Sequence, residues 1–237
     1  MRHNFLKSLN DSIAEKTYPK KFTVQEWEHR EKILAAEFLV ESNQLKAATM
    51  DLKILAQLIP KSPRFLYASG RLIDKMSEFE QSNFKLKNCI DIYKKIIDMH
   101  GVDPSLIYVV GKRLINRLQF RGKVKDAIIY SEILTMKIPH NSNLINDLGI
   151  SLLLFGKPSL AKDQFEKVLK ISDNQNLVAL CHYAFILKTS ENKFNESVQF
   201  FTKCLASKDK TVMDARFFYH FGDALQRLDR TREVTLS

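Results

Sequence analysis

Self-similarity at a fixed offset constrains this chain more than any other feature of its sequence. Leu114 returns as Leu148, Leu118 as Leu152, Ala127 as Ala161 and Leu134 as Val168, a 34-residue offset that fits two helices and their turns. A unit of that length can bury only one face of each helix by itself, so neighbouring units must stack to share a core. The chain is therefore predicted to be a row of helix pairs. Composition agrees, since 237 residues with 45% hydrophobic content supply a large core, and 7 Gly and 6 Pro are few helix breakers.

Inside the second copy, Leu148-Gly149-x-x-Leu152 followed by Ala161-x-x-x-Phe165 has the spacing of the tetratricopeptide repeat, and Pro139 closes the first copy where that repeat places its proline. Gly149 is expected at a close helix approach, Ala161 opposite it, and Phe165 with Val168 filling the space between. The predicted fold is all-α, a right-handed tetratricopeptide-repeat solenoid of about five and a half helix pairs over residues 24–228. An amphipathic helix at 3–16 carrying Phe5, Leu6, Leu9 and Ile13 and a basic linker occupy 1–23, and a short tail occupies 229–237.

The first pair spans about 24–59, with Trp27, Phe22 and Phe38 capping it. Gly70 lies ten residues after Pro60, as Gly149 lies ten after Pro139, which places a helix at 64–79. Cys89, Tyr93 and Ile96 then come late, so Ser77–Leu86 is read as a longer turn or an extended helix. The third pair starts at Pro104 after Asp103, the fourth spans 142–171, and the fifth spans 176–206 with one inserted residue before Ser197. A last helix, Asp214 to Leu228, has no partner helix after it, so its apolar stripe is expected to be uncovered. The chain reads as cut short.

The formal charge of +10 comes from 37 basic residues interleaved with 27 acidic ones, the pattern of solvated helix faces. Arg113, Arg117, Arg121, Lys123 and Lys125 are read in the same way, because only Phe120 stands near them to stack on a base. No nucleic-acid partner is expected. No stretch approaches the roughly 20 apolar residues of a membrane-spanning helix, so no direct membrane insertion is expected of this chain. Cys89, Cys181 and Cys204 are far apart in sequence and are read as core fillers, without a disulfide framework or zinc site. His182 and His220 hold equivalent places before Tyr183-Ala184 and Phe221-Gly222 and are read as hydrogen-bonded structural residues, since no carboxylate of ligand spacing stands beside them. No catalytic residue, metal site or cofactor is predicted in the chain.

In this repeat class the first helix of each pair lines a concave face, and residues four apart share it. That places Lys112, Asn116, Asn146, Phe185, Lys188, Tyr219, Asp223 and Gln226 as partner-binding candidates, able to grip an extended peptide through its backbone and acidic groups. Lys112-x-x-x-Asn116 has the spacing of a carboxylate clamp, but Asp147, Val178 and His182 stand where the rest of that clamp requires an amide and basic groups.

Three segments carry a narrower likeness: Asn146-Asp147-Leu148-Gly149 with Leu152-Leu153, the run Cys181-His182-Tyr183-Ala184-Phe185-Ile186-Leu187-Lys188, and the run from Arg216 through Phe221-Gly222-Asp223 to Arg227. With the stretch from Lys61 to Gly70, they resemble the tetratricopeptide region of the aspartyl/asparaginyl beta-hydroxylases, over roughly residues 40–228. The resemblance implies a membrane-anchored endoplasmic-reticulum protein whose lumenal repeats precede an iron- and 2-oxoglutarate-dependent dioxygenase domain acting on Asp or Asn of epidermal-growth-factor-like domains. Neither an anchor nor that catalytic domain is visible here. The expectation is a non-catalytic repeat region that positions substrate or partner, without hydroxylase activity of its own. The alternative is a stand-alone scaffold binding a short acidic peptide, cytoplasmic if the chain is complete as written.

Overall fold

Short turns between amphipathic segments let successive helices pack side by side, and within each unit the helices are arranged on that principle. The structure, a computed structural model, describes residues 22–229; the helix expected at 3–16 lies outside them. Among the described residues there are twelve helices and no strand. The described residues divide into two compact units between Lys123 and Val124.

The first unit holds α1 (Val24–Glu28), α2 (Arg30–Glu41), α3 (Leu45–Leu58), α4 (Pro63–Phe79), α5 (Asn83–Asp98) and α6 (Pro104–Phe120). α2 packs on α3, α4 packs on both, and α5 lies between α4 and α6. Buried Ile33, Ala36, Val40, Ala48, Leu55, Tyr67, Tyr93 and Ile96 form the seam. The late second helix is explained by α4, which runs to Phe79 and makes the extended-helix alternative the correct one. Pro63 and Pro104 each stand at the first position of their helix, after Ser62 and Asp103 as N-caps, where a missing N–H costs nothing.

The second unit holds α7 (Val124–Lys137), α8 (Ser142–Leu154), α9 (Pro158–Ile171), α10 (Leu177–Ser190), α11 (Phe194–Leu205) and α12 (Ala215–Arg227). α8 packs between α7 and α9, α10 between α9 and α11, and α12 on α11 and α10. Phe165, Val168, Ala184, Phe201 and Leu225 are buried in one continuous core. Gly149 is there because a Cβ would come within 2.7 Å of Phe165 Cζ. Gly70 is held in the same way in the first unit, 2.7 Å from Tyr93 Cε1. At Gly222 on α12 an added Cβ meets nothing within 4 Å.

One backbone device closes six of the described helices. Asn43, Gln81, Gly122, Gly156, Asp173 and Asn192 all adopt positive φ, and the next residue donates its N–H back to Leu39, Ser77, Leu118, Leu152, Leu169 and Leu187 at 2.8–2.9 Å. This is the left-handed helix stop that satisfies orphan carbonyls. Five of the six bonds span five residues; Lys193 to Leu187 spans six. The inserted residue expected in the fifth pair is therefore absorbed at the end of α10.

The structure corrects two expectations. Cys181 and Cys204 form a disulfide with Cα atoms 5.7 Å apart, across a sequence separation of 23. Only Cys89 remains a free, buried thiol. Nothing local announces the pair, because it exists only once α10 and α11 lie side by side. Likewise Arg113 and Arg117 are not a solvated face. Their Nε atoms lie 2.6 and 2.7 Å from the carboxylate of Asp74, which is 0% exposed and also accepts from Tyr93 Oη at 3.2 Å. Burying a carboxylate is costly unless partners of this kind surround it.

Candidate functional site

Lys112 and Asn116 stand exposed, one turn apart, on α6 of the first unit. The remaining candidates belong to the second unit, where the structure draws some together and separates others. Asn146 is 4% exposed. Its amide nitrogen donates to Asn176 Oδ1 at 3.0 Å, and Asn176 in turn accepts from Ala179 N as the N-cap of α10. Asn146 therefore fixes where the next pair begins, and its own carbonyl oxygen is buried without a hydrogen-bond partner.

Phe185, Lys188, Tyr219 and Asp223 converge around His220. The ring of Phe185 meets His220 edge-on at 4.8 Å between centroids, and Tyr219 meets it at 5.2 Å. Lys188 Nζ lies 3.3 Å from His220 Nδ1 and is ion-paired with Asp223, which Arg227 Nε also contacts at 3.1 Å. The hydrogen bond from Lys188 lowers the Asp223 pKa below its ordinary 3.8. Burial, followed by the charge of Lys188, lowers that of His220, which favours its neutral form. Gln226 is exposed one turn further along α12.

The result is a surface with a neutralised cation, a neutral imidazole and one prominent aromatic, Tyr219, 69% exposed. Such a surface offers stacking and hydrogen bonding before it offers charge. An incoming carboxylate must compete with Asp223 for Lys188. His220 is the member that counting four-residue steps misses, although its equivalence to His182 marks it out. His182 is placed differently: Nδ1 lies 2.8 Å from Val178 O, and its ring stacks on Phe165 at 5.2 Å and meets Phe217 at 5.0 Å. Trp27 packs edge-on with Phe22 at 6.1 Å at the start of the first unit.

No model of a known protein family matches the chain. Over 194 residues, 82% of its length, the chain is 34% identical to human (Homo sapiens) aspartyl/asparaginyl beta-hydroxylase and 33% identical to that of Mus musculus. It spans only about a quarter of the length of these relatives. Among solved structures, Pseudomonas aeruginosa PilF superposes with a TM-score of 0.66 at 14% identity, covering 90% of both chains. A tetratricopeptide repeat protein from Parabacteroides merdae gives 0.62 at 15% identity over 87% of this chain and 76% of the other. YrrB, described as a tetratricopeptide protein with an unusual peptide-binding site, gives 0.58 at 17% over 94% and 99%. At these identities the structures establish the fold alone. The chain is thus an all-α tetratricopeptide-repeat protein whose sequence is related to a portion, about one quarter, of aspartyl/asparaginyl beta-hydroxylase.

Proposed function

We propose that this chain is a non-catalytic tetratricopeptide-repeat region of an aspartyl/asparaginyl beta-hydroxylase-like protein, positioning substrate or partner for a dioxygenase domain. The observation that carries the proposal is the 34% identity maintained over 194 residues, which spans both units. The partner is an epidermal-growth-factor-like domain, and the compartment is the lumen of the endoplasmic reticulum. The Cys181–Cys204 disulfide supports that compartment, because such bonds persist where the environment is oxidising. Iron and 2-oxoglutarate belong to the dioxygenase domain. Among the described residues no three His, Cys, Asp or Glu side chains come together to hold a metal ion.

In this role Tyr219, Phe185 and Gln226 supply the contact area, Lys188 and Asp223 hold that area in shape, and Lys112 with Asn116 serve the first unit. The test is titration of the purified chain with a folded epidermal-growth-factor-like domain by calorimetry. Tyr219→Ala is expected to weaken binding, and reversing Lys112 and Lys188 together to Glu is expected to weaken it further. Unchanged affinity in both variants sinks the assignment of these contact residues. A short acidic peptide that binds while the folded domain does not favours a stand-alone scaffold.

A further inference from the structure

Asn195-Glu196-Ser197 opens α11 and matches the Asn-x-Ser acceptor pattern of N-linked glycosylation. Asn195 is exposed, on the lip of a shallow hollow lined by Asn192, Lys193, Phe194, Glu196 and Leu228. The disulfide from Cys181 to Cys204 brackets the same segment and belongs to the kind of compartment in which glycan transfer takes place. We propose that Asn195 is an N-glycosylation site whose use is limited by closure of the α10–α11 pair. This rests on the lumenal compartment proposed above.

The chemistry is a group transfer without redox change. The side-chain nitrogen of Asn195 bonds to the anomeric carbon of a lipid-pyrophosphate-linked oligosaccharide. The bond from that carbon to the pyrophosphate oxygen breaks, the lipid pyrophosphate leaves with the bonding pair, and the amide gives up one proton. The added glycan projects from an exposed position on the first turn of α11 and is compatible with the finished fold.

Timing follows from Ser197. Its side chain, the second half of the acceptor pattern, is 0% exposed and donates to Ala184 O at 2.9 Å, while its backbone N–H donates to Lys193 O at 3.0 Å. In the folded chain the segment is helical and the hydroxyl is occupied, so transfer must precede docking of α11 on α10. The Cys181–Cys204 bond joins those two helices and ends the acceptor's availability. Glycan transfer and disulfide closure therefore compete for the same stretch of chain.

The full chain, directed into the secretory lumen of cultured cells by a cleavable signal sequence, is purified and mapped by peptide mass spectrometry before and after peptide N-glycosidase. Asn195→Gln and Cys204→Ser variants are treated in parallel. Mapping separates Asn195 from the other such pattern, Asn10-Asp11-Ser12, which lies outside the described residues. The expected result is a glycan on Asn195 in part of the molecules, lost in Asn195→Gln and present in a larger fraction of Cys204→Ser. A chain with its disulfide formed and Asn195 bare, together with a bare Cys204→Ser variant, overturns the proposal alone. A chain taken from its own cells that is reduced and unmodified overturns the lumenal assignment and use of the site with it.

Discussion

The same substitution, Gly→Ala, is expected to act in opposite directions at two equivalent positions of the second unit. In a helix interior Ala is favoured over Gly by about 1 kcal/mol, and that gain applies at both Gly149 and Gly222. At Gly149 the new Cβ would lie 2.7, 2.8 and 3.1 Å from three ring carbons of Phe165, where about 3.5–4.0 Å is normal for carbon contacts. Phe165 is fully buried and stacked on His182, so the ring must shift against a filled core. Overpacking of this kind costs about 1–3 kcal/mol, and the confinement of the ring places the cost in the upper part of that range. Gly149→Ala is thus expected to destabilise by about 1–2 kcal/mol, the difference of the two effects. Gly222→Ala meets no neighbour within 4 Å and is expected to stabilise by about 0.5–1 kcal/mol. Thermal unfolding followed by circular dichroism should separate the two variants by several degrees, with the wild type between them. A Gly149→Ala protein as stable as Gly222→Ala would refute the claim that Phe165 sets the helix approach.

Reduction, or Cys204→Ser, opens a crosslink across 23 residues and is expected to cost about 3 kcal/mol by loop entropy, seen as a lower urea midpoint; an unchanged midpoint would count against a formed bond. Glu37→Ala removes the carboxylate bonded to Arg64, which is 2% exposed, at 3.0 and 3.1 Å, and should cost about 3–5 kcal/mol in urea unfolding. Asp223 has a folded pKa below its unfolded value, so its stabilising contribution is complete above the unfolded value of 3.8 and is lost as pH falls through the lower folded value. An NMR titration of Asp223 should show its midpoint rising in Lys188→Met, and an unmoved midpoint would refute the assigned cause.

The helix pairs were legible because packing imposes their pattern. Gly149 and Phe165 are spaced as they are because one occupies the space a Cβ would fill at the other. Asp103, Asn141, Asn176 and Asp214 cap the helices they precede, a local chemistry that sequence displays directly. What stayed hidden depends on distant partners. Arg113 and Arg117 look like a solvated row until Asp74, on another helix, is placed against them. Asn146 falls on the groove side by four-residue counting, yet Asn176 draws it inward. Cys181 and Cys204 become neighbours only through the turn at Asn192.

Two helix starts are secured by side chains from elsewhere in their unit. Glu26 Oε1, on α1, accepts from Ser62 Oγ and Arg64 N at the head of α4, and Asn146, on α8, holds the capping amide of α10. When a helix depends on a preceding element for its first hydrogen bonds, melting that element also frays the helix. Free energy is then shared along the row, and each unit should lose amide protection as a block instead of one helix at a time.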